Sequence, residues 1–177
     1  MRDLGLRSKP KSQRGGKIGR EILLVGQHYQ NGYICDDIEA AIAVFRARGL
    51  DKEPTIIPVD QTVDTADGPK RTKLRICMFW LNGVQYELIE PDIDETGHYA
   101  NAQDNGGPMR FHHICLRVPD WDAFREQVAA QDLPVAFERN SGPGQLSFMY
   151  LDGREAFGHY LEYTYVPEAM WEHIKAM

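Results

Sequence analysis

Two glutamates stand where a carboxylate is costly. Glu87 lies in "VQYELIEP" and Glu162 in "GHYLEYTYV", both apolar, strand-like runs. A carboxylate taken out of water needs a cation, a hydrogen-bond network or a metal to hold it there. Two more polar side chains occupy matching places: Gln30 in "GQHYQNGYIC" and His113 in "RFHHICLRV". An amide oxygen, two carboxylates and an imidazole suit one divalent ion with positions left for water or substrate. Such a centre polarises a carbonyl oxygen, and a carboxylate beside it can move a proton on the adjacent carbon.

The elements that must position these four side chains repeat along the chain. Gln30 precedes Asp37 by seven residues, and His113 precedes Asp120 by seven. Each Asp opens a helical pattern, "DIEAAIAVFRAR" and then "PDWDAFREQVAAQD". In the first, Ile38, Ala41, Ile42 and Phe45 recur at helical spacing, with Asp36 or Asp37 as N-cap. "TIIPV" reads as a short strand and "DQTVDTADGPK" as a polar loop. "LRICMFWLNGVQYELIEP" reads as two strands turned by Asn82-Gly83. After "PVAFE", the segments "LSFMYLD" and "HYLEYTYV" are strands around "GREAFG", and "PEAMWEHIKA" is a closing helix. The order is βαβββ, linker, βαβββ, helix. The boundaries are a basic tail over 1–20, modules over 21–91 and 110–166, a polar linker over 92–109, and a C-terminal helix over 167–177. An internal repeat constrains the whole architecture. Two such modules side by side give an α+β fold, a curled mixed sheet in which one residue on each of four strands faces a shared hollow.

These features resemble the vicinal-oxygen-chelate superfamily, which includes glyoxalase I, methylmalonyl-CoA epimerase and the extradiol dioxygenases. The paired modules, "ELIEP", "FHHICLRVPD" and "YLEY" carry the likeness over about residues 27–166. The resemblance implies one ligand from the first and last strand of each module: Gln30, Glu87, His113 and Glu162. It implies one divalent ion, whether zinc, nickel, cobalt, manganese, magnesium or iron, with Glu162 and Glu87 as the catalytic carboxylates. The Gln/Glu/His/Glu order is that of eukaryotic-type glyoxalases, whereas the two-His, one-Glu set of extradiol dioxygenases is not reproduced. The expected activity is that of a metal-dependent isomerase, epimerase or lyase acting through an enolate. The rival is a metal-free sequestering protein of the same fold, and an extradiol-type dioxygenase is a third option. A homodimer is expected, with the site within one chain or across two.

Alternatives remain at several positions. His28 sits on the same face as Gln30 in a regular strand and is the other candidate first ligand, though it breaks the seven-residue spacing. Gly26 and Gly32 permit a bulge that shifts the register by one. His112 is expected to face away from His113. Glu90 and His159 fall off the inward face, at surface or rim. Arg117 is placed to meet an anionic group. Met78, Trp80, Tyr86 and Tyr160 would line a fairly apolar pocket for a small substrate. Asp60 lies where epimerase-type relatives sometimes place a second base.

Composition narrows the partners. Residues 1–20 hold seven Lys/Arg against one Asp, yet the whole chain of 177 residues is −6, so the remainder carries −12. An acidic body repels phosphate and excludes nucleic acid as the main partner. No apolar run approaches a membrane span. Cys35, Cys77 and Cys115 form no CxxC pair and lie in apolar runs, as expected of reduced thiols in a cytoplasmic protein.

Overall fold

The computed structural model describes residues 25–176. The basic tail expected over 1–20, and the start of the strand expected from residue 21, lie outside the described residues.

The first module runs β1 (Gln27–Cys35), α1 (Ile38–Arg46), β2 (Ile56–Thr65), β3 (Gly68–Leu81) and β4 (Val84–Asp94). A 3-10 turn at Tyr99–Asn101 leads to the second: β5 (Met109–Arg117), α2 (Trp121–Val128), β6 (Val135–Arg139), β7 (Ser147–Leu151), the one-turn α3 (Arg154–Phe157) and β8 (Tyr160–Tyr165). Helix α4 (Glu168–Ala176) follows. Both long module helices start as the repeat predicts. Asp37 accepts a hydrogen bond from the Ala40 amide at 2.9 Å, and Asp120 from the Ala123 amide at 3.0 Å. These are N-caps that satisfy otherwise orphaned donors.

Each helix covers the outer face of its own half-sheet. Ile38, Ala41, Ile42 and Phe45 pack on Cys77, Phe79 and Leu88. Trp121, Phe124 and Val128 pack on Met149, Leu161 and Tyr163. Strand alternation then turns the neighbours of Leu88 and Leu161, namely Glu87 and Glu162, to the inner face.

The segment expected as a polar loop over 60–70 is instead a hairpin. β2 and β3 pair continuously from Ile56–Cys77 to Thr65–Gly68. The tight turn is closed by Gly68 at φ +100°, and the Asp67-Gly68 pair is itself a hairpin signal. Val63 and Thr72 are buried inward while Asp60, Thr62 and Asp64 face water. Half-exposed strands look polar, which is why composition read as a loop. Asn82-Gly83 does turn β3 into β4, at φ 53° and 81°. The linker region is also ordered: Asp94 accepts from the amides of Thr96, Gly97 and Tyr99. It thereby sets buried Tyr99 beneath the barrel.

The strands close into a barrel in the order β1-β4-β3-β2-β6-β7-β8-β5. The two module junctions are unequal. β1 and β5 pair antiparallel along their whole length, whereas β2 and β6 share a single pair, Asp64 with Glu138. Among the described residues no helix is long and apolar enough to cross a membrane.

Candidate metal centre

The β1–β5 junction places the polar quartet by near-twofold symmetry. His113 lies opposite Gly32, and Gln30 opposite Cys115. Gly32 is in turn beside Glu87 on β4, and Cys115 beside Glu162 on β8. The register slips at Tyr29 on β1 and at His112 on β5, each immediately before a quartet residue. The bulge that Gly26 and Gly32 permit on the first strand falls at Tyr29, and a second, at His112 on β5, was not expected.

The slips reassign two histidines. His28, expected on the face of Gln30, is turned out to solvent, where its Nε2 lies 3.0 Å from Asn31 Oδ1. His112, expected to face away from His113, is buried beside it with the two Nδ1 atoms 3.0 Å apart.

Glu87, His113 and Glu162 come together, each offering one ligand atom, and these atoms lie within 4.8 Å of one another. His113 Nε2 is 3.3 Å from Glu87 Oε2 and 3.1 Å from Glu162 Oε2. Neither oxygen lies in line with the ring nitrogen, so among the described residues this fully buried atom has no hydrogen-bond partner. An unsatisfied buried nitrogen aimed between two carboxylates fits a cation in the space they share. Gln30 lines the same cavity as the two glutamates. Its Nε2 donates to Gln85 Oε1 at 2.8 Å, which leaves its carbonyl oxygen without a donor among the described residues.

A further network orients the imidazole. His112 Nε2 lies 3.2 Å from the His98 carbonyl, which can only accept, so His112 carries its proton there. Burial, then the neighbouring His113, hold His112 well below the usual histidine range, so it is neutral with a bare Nδ1. That atom accepts from His113 Nδ1–H, which leaves His113 Nε2 as the ring nitrogen turned to the two carboxylates. Burial opposes charge on His113, but Glu162 and Glu87 more than offset it and raise the metal-free imidazole to about 9. Burial also raises Glu87, reinforced by Glu162 and opposed by His113. An imidazole and a carboxylate both displaced from their ordinary ranges at one buried point are a functional signature.

Gly32 makes room for the ring. A Cβ there would lie 1.8 Å from His113 Cε1. This glycine was legible only as a strand interruption, because its role depends on the strand opposite.

The centre opens on a cavity of about 290 Å³ inside the barrel. Its walls are mainly apolar, with Val59, Ile76, Met78, Leu146 and Phe148 among them. A larger groove of about 1010 Å³ crosses the outer face of β2, β3 and β4, but Glu87, His113 and Glu162 do not reach it.

A family model described as the glyoxalase/bleomycin resistance protein/dioxygenase superfamily matches residues 29–150. The chain belongs to this superfamily. Among solved structures of similar fold is a single-substitution variant of Streptomyces coelicolor methylmalonyl-CoA epimerase, in complex with 2-nitronate-propionyl-CoA. It is 17% identical, covers 80% of this chain and 97% of its own, and has a TM-score of 0.52. The Mycobacterium tuberculosis methylmalonyl-CoA epimerase is 18% identical, covering 86% and 98% of the two chains, with a TM-score of 0.52. Curated protein sequences return no match.

Most of the remaining candidates lie away from the cavity wall of this superfamily member. Arg117 is ion-paired to Glu168 at 2.7 Å and stacked over Trp171. Trp80 donates its indole N–H to the Ile174 carbonyl at 2.8 Å, tying down α4. Tyr160 is buried in the core, its hydroxyl 3.0 Å from His98 Nδ1. Tyr86 packs against Phe45 and Phe79 beneath α1. Of the four residues expected to form the pocket, Met78 lines it. Asp60 is held by Arg71 at the surface. Glu90 accepts from the Ile38 amide at 2.7 Å and pairs with Arg75, so it fastens the start of α1.

Proposed function

We propose that the chain is a metal-dependent isomerase or epimerase that moves a proton beside a carbonyl of a small, fairly apolar substrate. One observation carries this reading: Glu87, His113 and Glu162 converge within 4.8 Å, and the two glutamates line a mainly apolar cavity in the barrel. Gln30, Glu87, His113 and Glu162 would hold the ion. When bound, a divalent ion supplies Lewis-acid stabilisation to the enolate form of the substrate.

The chain's own residues supply the proton chemistry. Glu162 takes the proton from the carbon next to the carbonyl, and Glu87 serves as its counterpart. They come from different modules, and both lie beside His113, so two carboxylates are at hand for the two proton transfers. Inversion at a carbon needs one group to remove a proton and a second to return one. The apolar walls exclude water from the carbanion-like intermediate and strengthen the electrostatics of the site. The neutral His112 fixes the imidazole of His113 through Nδ1. All four candidate ligands belong to one chain, so a site of this kind needs no second subunit. Membership of the superfamily, and the fold shared with methylmalonyl-CoA epimerases, support the reading.

Purified protein is expected to hold about one divalent ion per chain by elemental analysis. Loaded protein should catalyse deuterium uptake from heavy water into an acyl thioester, a hemithioacetal or a cyclic ketone. Glu162→Gln and Glu87→Gln should abolish exchange. Gln30→Ala should weaken metal binding more than His28→Ala does. Absence of metal, together with unchanged ligand affinity in both glutamine variants, would identify a sequestering protein instead. Oxygen uptake with a catechol and ferrous iron would identify a dioxygenase.

A further inference from the structure

Arg139 ends β6 opposite Phe148 on β7, and so shares the inward face of the sheet with Phe137 two residues before it. It lines the cavity at its rim, where it is exposed. Its side chain's only hydrogen bond among the described residues is from Nη1 to Gln61 Oε1 at 2.9 Å. Every other arginine there, Arg48 apart, is ion-paired to a carboxylate. Arg48 instead bonds the Val44 carbonyl on its own helix surface. The adjacent carboxylate, Glu138, is taken by Arg125. In a chain of net charge −6, a guanidinium left with spare donors over a cavity is the exception. Among the described residues no other Lys or Arg lines that cavity.

Gln61 comes from β2, in the other module. The Gln61–Arg139 bond therefore spans the weak junction, where only Asp64 and Glu138 pair along the backbone. On the far side, Phe148 lies level with Thr164, one pleat from Glu162 on β8. That is about 7 Å along the strand and, two strands around, about 10 Å across. The cavity thus has two poles: two carboxylates, backed by the buried His113, at one, a spare guanidinium at the other, and apolar wall between them.

From this arrangement we infer that Arg139, oriented by Gln61, is the anchor for an oxyanion carried by the substrate. It selects compact keto or acyl compounds bearing a carboxylate or phosphate a few carbons from the reacting carbonyl. The inference rests on the cavity being the substrate site. Repulsion from Glu87 and Glu162 and attraction to Arg139 fix the ligand's direction, so the carbonyl end meets the metal centre. A planar guanidinium grips either oxyanion with two parallel bonds.

Calorimetric titration of the full-length, metal-loaded chain tests this with oxo-carboxylates whose carbonyl and carboxylate are separated by one to five methylenes. Their methyl esters and the corresponding oxo-alkyl phosphates form the other arms. The acids or the phosphates should bind at least about 10-fold tighter than the esters, with an optimum spacer length. Arg139→Met should bring the anion-to-ester ratio near one and leave ester affinity unchanged. Gln61→Leu, the second variant, should lower the ratio by a smaller factor. Preference for acids over phosphates, or the reverse, names the oxyanion. Equal affinity of anions and esters for the wild type overturns the anchor while leaving the metal-centre reading intact. Failure of every compound to bind a chain that holds its metal also overturns it. An anion preference in a wild-type chain that binds no metal, unchanged in Glu87→Gln and Glu162→Gln, keeps the anchor and removes the metal-centre reading.

Discussion

Gly32 belongs to the centre as fully as the side chains that face the cavity. The imidazole of His113 lies over it, so any Cβ collides with the ring. Gly32→Ala should leave the barrel folded but expel His113 from its position between Glu87 and Glu162. The expected result is a drop in divalent-ion affinity of about 10-fold or more, with destabilisation of about 1–3 kcal/mol for the overpacked site. Competition against a chromophoric chelator and a thermal scan measure the two effects. An unchanged affinity would mean that His113 does not ligate. At the same scale, Gln30 and His113 were legible as a pair because each stands seven residues before a helix-opening Asp. Gly32 was not, because what crowds a glycine lies on another strand.

At the scale of elements, the caps and the bulges have different visibility. Asp37 and Asp120 cap their helices as their positions foretold. Replacing Asp120 with Ala removes the acceptor for the Ala123 amide and should cost about 1 kcal/mol. Urea denaturation measures this, and a change below about 0.3 kcal/mol would show that water replaces the cap without loss. The bulges at Tyr29 and His112 carry no comparable local signal, since slipping one residue is a property of two paired strands. They nevertheless decide which side chains enter the barrel. Tyr29 turns in to meet Thr164 at 3.1 Å, and His112 turns in to meet His113. The β2–β3 hairpin was missed for a related reason. A strand with one wet face reads as loop when Asp and Thr fill that face.

At the scale of the whole molecule, barrel closure buries what the sequence scattered. Cys35, Cys77 and Cys115 are all buried, on different strands. Burial, aided by Glu90 and Asp36, pushes the Cys35 thiol up to about 12, and burial with Glu53 pushes Cys77 up to about 11. Cys115 is raised well above its usual value by burial and then by Glu162. A raised thiol pKa leaves the unreactive neutral form in place until the pH climbs to it. At pH 8 the thiolate fraction is on the order of one in a thousand or less. The folded chain should therefore resist iodoacetamide at pH 8 and take up three equivalents in urea, read by intact mass. Rapid labelling of the folded chain would show that a seam of the barrel opens. The weaker seam is the β2–β6 junction, held by one backbone pair and by the Gln61–Arg139 contact.

The repeat is written in the chain, and with it the βαβββ modules, the four strands that bear Gln30, Glu87, His113 and Glu162, and the helices that cover their outer faces. Those follow from hydrophobic period, capping chemistry and equal spacing, all of which are local in the chain. Only the tertiary structure decided which face His28 and His112 present, and that Gly32 shelters the imidazole. It also decided that Trp80 and Tyr160 serve packing and that Arg139 overlooks the cavity. Each of these depends on the register between strands far apart in sequence. A shift of one residue there exchanges inside for outside, and no single strand records it.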